Sequence, residues 1–420
     1  MDFNQAVAYT HSLLRFGMRP GLERMRELMD RLGNPQDRIR TVHLAGTNGK
    51  GSTSTMISNI LTGAGYHTGL FTSPYVCDFM ERIQLDSRPG PRELFAGVMT
   101  RLRKIAEEMA DPPTEFEIIT AAAFEMFRES GCDVAVMETG LGGRLDSTNI
   151  ITAPAVCVLT SISMDHMNVL GDTLEQIAGE KCGILKPGVP VVVSGGQDPR
   201  AMAVVRRAAE EKGCPLLLPK TPEVLESGLF GTLFRLEGAE YRVTMPGLHQ
   251  VDNAAAAVAA VRELIRRGFS VSPEQMYRGI EQTVLPARIQ VIRRSPLTIL
   301  DGAHNEDGVR RLAQTLRAEF PERKMVFVCG MMADKDYDRA MELLADLAGE
   351  LIAATPGNPR ALAAERLAEC ARCHGIPAQT VEDPAAACRE GLRRSEETGG
   401  PLVVCGSLYL AGDVYSYLAE

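Results

Sequence analysis

Ala45-Gly46-Thr47-Asn48-Gly49-Lys50-Gly51-Ser52 is the stretch on which the reading of this chain turns. It follows a β-branched run, RTVHLA at 40–45, and opens a helical pattern over about 50–64. Strand, glycine-rich turn and helix in that order form a phosphate-binding loop. Glycines let backbone N–H groups face phosphate oxygens, the helix N-terminus adds positive potential, and a lysine brings a full charge. The candidate phosphate contacts are Thr47, Asn48, Gly49, Lys50, Gly51 and Ser52. The match to GxxxxGK[ST] is imperfect: Leu44 stands where the first glycine belongs, and the hydroxyl comes at Ser52, with Gly51 between it and Lys50. The competing reading is a glycine-rich turn carrying a solvated lysine, and the strand-to-helix context argues against it.

Outward from this loop, apolar β-branched runs alternate with helical patterns, the signature of a parallel sheet covered by helices. Strands are expected at 67–71, 133–138, 155–160 and 189–193, and helices at 173–185 and 200–212. Thr114 and Glu117 have capping-box spacing, so a helix should run from there to about 129. Segment 74–91, with Arg82 and Arg88, reads as a long functional loop. A β-hairpin is expected at 229–245, then an alanine-rich helix at 251–267 and a shorter one at 273–282. Segment 286–296 reads as a linker, after which strands at 297–301, 324–329, 350–354 and 402–405 begin a second alternation. The expectation is two α/β domains, 1–295 and 296–420, the first larger and carrying the loop.

Composition limits what such a chain does. Its 420 residues are 45% hydrophobic and 24% charged, an ordinary globular balance that excludes wholesale disorder. With 45 Lys+Arg against 54 Asp+Glu the net charge is −9, a poor basis for general nucleic-acid binding. No signal peptide or bilayer-spanning apolar run is visible, so the expectation is a cytoplasmic protein without membrane partners. The ten cysteines are too sparse for a disulfide scaffold. Cys370-Ala-Arg-Cys373-His374 matches the CxxCH haem-attachment pattern, but in a charged helical stretch without an export signal it reads as chance spacing.

Residues after strands mark the rest of a site, because ligands bind at the carboxyl edge of a parallel sheet. Ser73 follows one expected strand, Glu138 ends another, and Asp165-His166 follows a third. Together they suggest a metal site beside the phosphate loop. Lys181 has no such rationale, since an ammonium near a cation is repelled. In the second half Asp301 and His304 stand at a strand's end, Arg288 lies in the linker, and Ser407 and Tyr409 follow the last strand. Each of these has an ordinary reading as helix cap, surface arginine or turn.

Taken together, AGTNGKGS (45–52), FTSPYV with ERI (71–83), TEFEIITA (114–121), ETGLGGRLDSTN (138–149), SMDHMNVLG (163–171), EKCGILK (180–186), DGAHN (301–305), MADKD (332–336) and GSLYL (406–410) resemble the folylpolyglutamate synthase/dihydrofolate synthase family of Mur-type ATP-dependent amide ligases. The resemblance runs in order from about residue 5 to 415. It implies a P-loop parallel-sheet ATPase domain followed by a smaller Rossmann-like domain, using ATP and Mg2+. It further implies that Ser73, Glu138 and His166 bind the metal and that Lys181 matches a carbamylated lysine, an anionic group able to face it. Asn253, Arg288 and Asp301 match nucleotide contacts from both sides of an interdomain cleft. His304, Ser407 and Tyr409 match positions near the amino-acid site, while Phe71–Arg82 and 114–120 match the pterin side. Lys50, Lys181 and His304 are thus the expected catalytic residues. Two departures stand out: Glu306 replaces a common proline, and Ala287 replaces the glycine common before the arginine.

The implied reaction passes ATP's γ-phosphoryl to a folate or pteroate carboxylate, and L-glutamate's amine then attacks the acyl phosphate. The implied partners are folate or dihydropteroate and glutamate, with the chain acting as a monomer. The competing classes are a cell-wall amide ligase and a P-loop regulatory NTPase. The latter is disfavoured by the imperfect loop and the lack of an NKxD motif.

Overall fold

The computed structural model describes residues 1–17 and 19–419. The chain forms two compact units: unit 1 is Met1–Glu223, Arg235–Tyr241 and Asp252–Thr283, and unit 2 is Val224–Phe234, Arg242–Val251 and Val284–Glu420. Among the described residues no helix is long and apolar enough to cross a membrane.

Unit 1 is built on strands β1 (Arg40–Ala45), β2 (Thr68–Phe71), β3 (Ile83–Leu85), β4 (Arg88–Pro89), β5 (Val134–Glu138), β6 (Val156–Leu159), β7 (Val191–Val193) and β8 (Leu216–Leu217). They pair in the order β4-β3-β2-β5-β1-β6-β7-β8. From β2 to β8 every pairing is parallel. Val42, Leu44, Val136 and Val158 are wholly buried, as a sheet covered on both faces requires. The consecutive strands β5 and β6 flank β1 on opposite sides. A crevice therefore opens at the carboxyl end of β1, where the glycine-rich loop begins.

The helix Glu115–Glu129 starts where its capping box predicts. Thr114 accepts from the Glu117 N–H, and the Glu117 carboxylate accepts from the Thr114 N–H. Its middle is buried all round, Phe124 and Phe127 joining Phe95 and Met99 in a core of aromatics and methionines. The expected loop at 74–91 is partly regular. It contains a 3-10 turn, Phe79–Arg82, and then β3 and β4, which pair antiparallel and extend the sheet past β2. Three residues in β3 and two in β4 are too few for an alternating pattern to show in sequence.

Three strands follow, β9 (Glu223–Gly228), β10 (Gly231–Leu236) and β11 (Ala239–Val243), paired β11-β10-β9, so the expected hairpin has a third member.

Unit 2 carries β12 (Gln290–Arg294), β13 (Leu297–Leu300), β14 (Met325–Cys329), β15 (Ala348–Ala353), β16 (Ala378–Thr380) and β17 (Leu402–Cys405), in the order β12-β13-β17-β14-β15-β16. Segment 286–296, read from sequence as a linker, contains β12, an edge strand antiparallel to β13. Its flanking prolines and three arginines hide it, and an edge tolerates both. The last strand, β17, lies between β13 and β14, which gives unit 2 its own reversal of strand order.

Candidate active site

The register of unit 1 brings the loop and the acidic strand end to one level. Leu44 pairs with Glu138, Ala45 with Leu159, and Phe71 with Met137. Gly46 is hemmed in by Thr160, whose Oγ1 would lie 1.9 Å from any Cβ at that position. Beyond it the Thr47 N–H donates to the Ser161 carbonyl at 2.7 Å, and the Ser163 N–H donates to Thr47 Oγ1 at 3.0 Å. Asn48 Nδ2 reaches Ser163 Oγ at 3.5 Å. The loop is thereby fixed before any ligand arrives.

Gly49, at φ 86°, caps the helix Lys50–Gly63, whose first turn receives no side-chain cap. Those N–H groups are left for an anion. An added Cβ at Gly49 would lie 2.2 Å from Asn253 Oδ1, and Asn253 is buried behind the loop. Gly49→Ala combines a left-handed alanine, costing about 1–2 kcal/mol, with displacement of Asn253. Nucleotide affinity should fall about tenfold or more, measured by calorimetry with a non-hydrolysable ATP analogue. An unchanged Kd would show that the loop conformation does not set binding.

Two lysines meet on one carbonyl. Lys50 Nζ donates to the Gly46 carbonyl at 3.2 Å and to that of Thr47 at 3.3 Å, while Lys181 Nζ, from the helix Leu174–Cys182, donates to the same Gly46 oxygen at 2.9 Å. Lys50 Nζ also stands 3.8 Å from Glu138 Oε1, and the two side chains are only 14% and 4% exposed. Burial first, and the Lys50 charge second, lower the Lys181 amine from its ordinary 10.5 to about 7; Asp165 and Asp146 oppose the shift. Neither sequence spacing nor periodicity signals this convergence, and the part played by the Gly46 carbonyl is absent from the sequence reading. The glycine itself was the available clue.

Ser73 and His166 stand on the loops after β2 and β6. The His166 N–H donates to Asp165 Oδ1 at 2.8 Å, with His166 at φ 50°. The Ser73 hydroxyl and the Glu138 and Asp165 carboxylates have the hard-oxygen chemistry that suits a small divalent cation, and the His166 imidazole is a softer donor.

Behind Glu138 a buried relay fixes the following loop. Asp146 Oδ2 accepts from the Leu141 N–H at 2.9 Å, and Oδ1 accepts from the Thr148 N–H and hydroxyl at 2.9 and 2.6 Å. Since Thr148 donates its one hydroxyl hydrogen to Asp146, His43 Nε2, 2.8 Å from that oxygen, carries the proton and donates it. Burial, reinforced by Lys186, holds His43 neutral with a pKa of about 3.

On the other side of Ser73, Arg82 lies over the rings of Tyr75 and Phe79 at 5.2 and 5.8 Å. Phe71 is fully buried, its ring 5.7 Å from that of Phe116. It supports this aromatic wall from within the core.

The remaining sequence candidates belong to unit 2. Asp301 follows β13 with both oxygens engaged, Oδ2 by the Ile289 N–H and Oδ1 by the Ala303 N–H, each at 2.8 Å. It thereby holds Ala287-Arg288-Ile289, in which Ala287 and Ile289 both take positive φ, 53° and 48°. The left-handed backbone at 287 explains why a glycine would sit there without strain. Arg288 Nη1 reaches its neighbour's carbonyl at 3.2 Å, and His304 Nδ1 lies 2.8 Å from the Gly302 carbonyl. Ser407 is buried, with its hydroxyl accepting from the Leu410 N–H at 3.0 Å, whereas Tyr409 is 41% exposed.

Residues 44–261 match the Mur ligase middle domain and 287–408 the Mur ligase glutamate ligase domain. The chain is 37% identical to the dihydrofolate synthase/folylpolyglutamate synthase of Bacillus subtilis over 427 aligned positions, 98% of each protein. It belongs to the folylpolyglutamate/dihydrofolate synthase family of Mur ligases. The chain is accordingly an ATP-dependent folate–glutamate ligase. The fold agrees. Folylpolyglutamate synthase of Mycobacterium tuberculosis, solved with ADP and AMPPCP, is 30% identical with a TM-score of 0.91, covering 100% of this chain and 99% of that one. Escherichia coli FolC in complex with DHPP and ADP is 28% identical with a TM-score of 0.86, covering 98% and 97%. These neighbours share both the large parallel-rich sheet and the separate C-terminal α/β domain.

Proposed function

We propose that this chain joins L-glutamate to dihydropteroate and to reduced folates by one mechanism. The observation that carries it is the convergence of Lys50, Lys181 and the Gly46 carbonyl beside Glu138. ATP's phosphates lie along Thr47 to Ser52, receiving the uncapped N–H groups of the helix and the Lys50 ammonium. Ser73, Glu138 and His166 would hold Mg2+, which would neutralise charge on the transferring phosphoryl group. The neutral Lys181 amine adds to CO2: an N–C bond forms as a C–O π bond opens, a proton leaves, and a buried neutral amine becomes an anionic carbamate able to face the metal. The aromatic wall of Tyr75, Phe79 and Phe116, with Arg82, receives the pterin acceptor. Its carboxylate oxygen attacks the γ-phosphorus and ADP leaves. Glutamate's amine then attacks the acyl carbon, a tetrahedral intermediate collapses, and phosphate departs. Asn253, Arg288 and Asp301 complete the nucleotide contacts, and His304, Ser407 and Tyr409 serve the amino acid.

No side chain forms a covalent bond to either substrate in this scheme. Catalysis is positional and electrostatic, which suits a loop whose backbone is already fixed. We further propose that the chain works as a monomer in the cytosol. The test is phosphate release with ATP, Mg2+ and glutamate, run in parallel with dihydropteroate and tetrahydrofolate. Release dependent on glutamate with both acceptors is expected. Turnover of one acceptor alone restricts the chain to that step, and release with ATP alone overturns the reading.

A further inference from the structure

The CxxCH stretch that haem does not explain has a partner in the fold. Cys370 lies in the helix Ala364–Cys373, and His374 caps that helix one turn later, so both fall on one face. Asp338, on the helix Tyr337–Leu344 of the same unit, meets them both. Its Oδ1 lies 3.0 Å from His374 Nε2 and 3.6 Å from Cys370 Sγ. All three ligand atoms lie within 4.8 Å of one another. A tetrahedral zinc site with bonds of about 2.0–2.3 Å separates neighbouring ligand atoms by about 3.3–3.8 Å, so this trio is close to that spacing already.

We propose that Asp338, Cys370 and His374 form a binding site for a thiophilic divalent metal of the zinc class, with the fourth position open to solvent. The charges match, since a carboxylate and a thiolate balance a dication and imidazole adds a neutral ligand. The helix C-terminus at Cys370–His374 also favours a cation. Nearby arginines have other partners: Arg339 pairs with Glu306 and Glu342, Arg366 reaches the Tyr337 hydroxyl, and Arg372 the Ala378 carbonyl. Asp338 is 72% exposed, which leaves metal entry unobstructed. The site is made wholly of unit 2 residues and shares none of the ligase residues assigned above.

The test is a Co2+ titration of the reduced full-length chain with excess Mg2+ present. Cobalt held by oxygen ligands gives no thiolate charge-transfer band, so a near-ultraviolet band reports a sulfur ligand. One equivalent should bind with such a band and be displaced by Zn2+. Cys370→Ser should abolish the band, Asp338→Asn should weaken binding about tenfold or more, and Cys373→Ser should leave the band in place. As a second reading, Zn2+ should slow alkylation of Cys370 but not of the exposed Cys77. No band in the folded wild-type chain, a band surviving Cys370→Ser, or alkylation of Cys370 indifferent to Zn2+ overturns the proposal.

Discussion

Lys181→Ala lowers glutamate-dependent ligation about 100–1000-fold, the loss that accompanies removal of one preorganised charged group from a transition state. The circular dichroism spectrum stays that of the wild type, because among the described residues the Lys181 side chain makes one hydrogen bond, to Gly46, and the helix around it packs through Leu174, Ile177 and Ala178. Acetate or formate in the vacated space should restore part of the activity; full activity without rescue would remove Lys181 from the mechanism. A pH dependence follows from the same group. The buried amine loses its proton around pH 7, whereas in the unfolded chain it keeps it to about 10.5. Between these values the unfolded state binds more protons, so stability from this group rises with pH across that window. Below pH 7 the cost of the buried ammonium is present in full. Melting temperatures at pH 7 and 9 in CO2-depleted buffer should therefore differ more for wild type than for Lys181→Ala.

Lys50→Met has an effect of similar size on turnover, about 1000-fold, and removes more than a phosphate contact. Lys50 holds Lys181's pKa down by repulsion. Its loss should move the pH midpoint for carbamate formation upward, readable by 13C NMR with labelled bicarbonate even in an inactive enzyme. A midpoint that stays in place would separate the two lysines electrostatically, against their shared hydrogen bond to Gly46.

The two halves of the site were unequally legible. The loop at 45–52, the helix Glu115–Glu129 and the β-branched strands are local features, each written within a dozen residues as a glycine pattern, a capping box or an apolar run. Edge strands are not. β3, β4 and β12 are short or arginine-rich, and only pairing to a neighbour defines them. The helix Ala364–Cys373 begins only after Ala361 has been drawn into a bridge with Met332, a contact between distant segments. Lys181 was unreadable from spacing for a related reason, since its partner lies 135 residues away. Family resemblance supplied what local physics could not, namely a reason for a lysine beside acids. The relay from His43 through Thr148 to Asp146 was missed altogether, because a histidine inside an apolar strand reads as ordinary core.

That histidine makes acid a denaturant of this enzyme. His43 remains neutral to about pH 3, and its Nδ1 has no hydrogen-bond partner among the described residues. Unit 2 holds a counterpart, His249, which burial and then the Arg311 charge also bring down to about 3. In the unfolded chain both imidazoles take up a proton near pH 6.5. Through these two imidazoles each unit yields stability as the medium falls from about pH 6.5 toward 3, since each takes up a proton on unfolding.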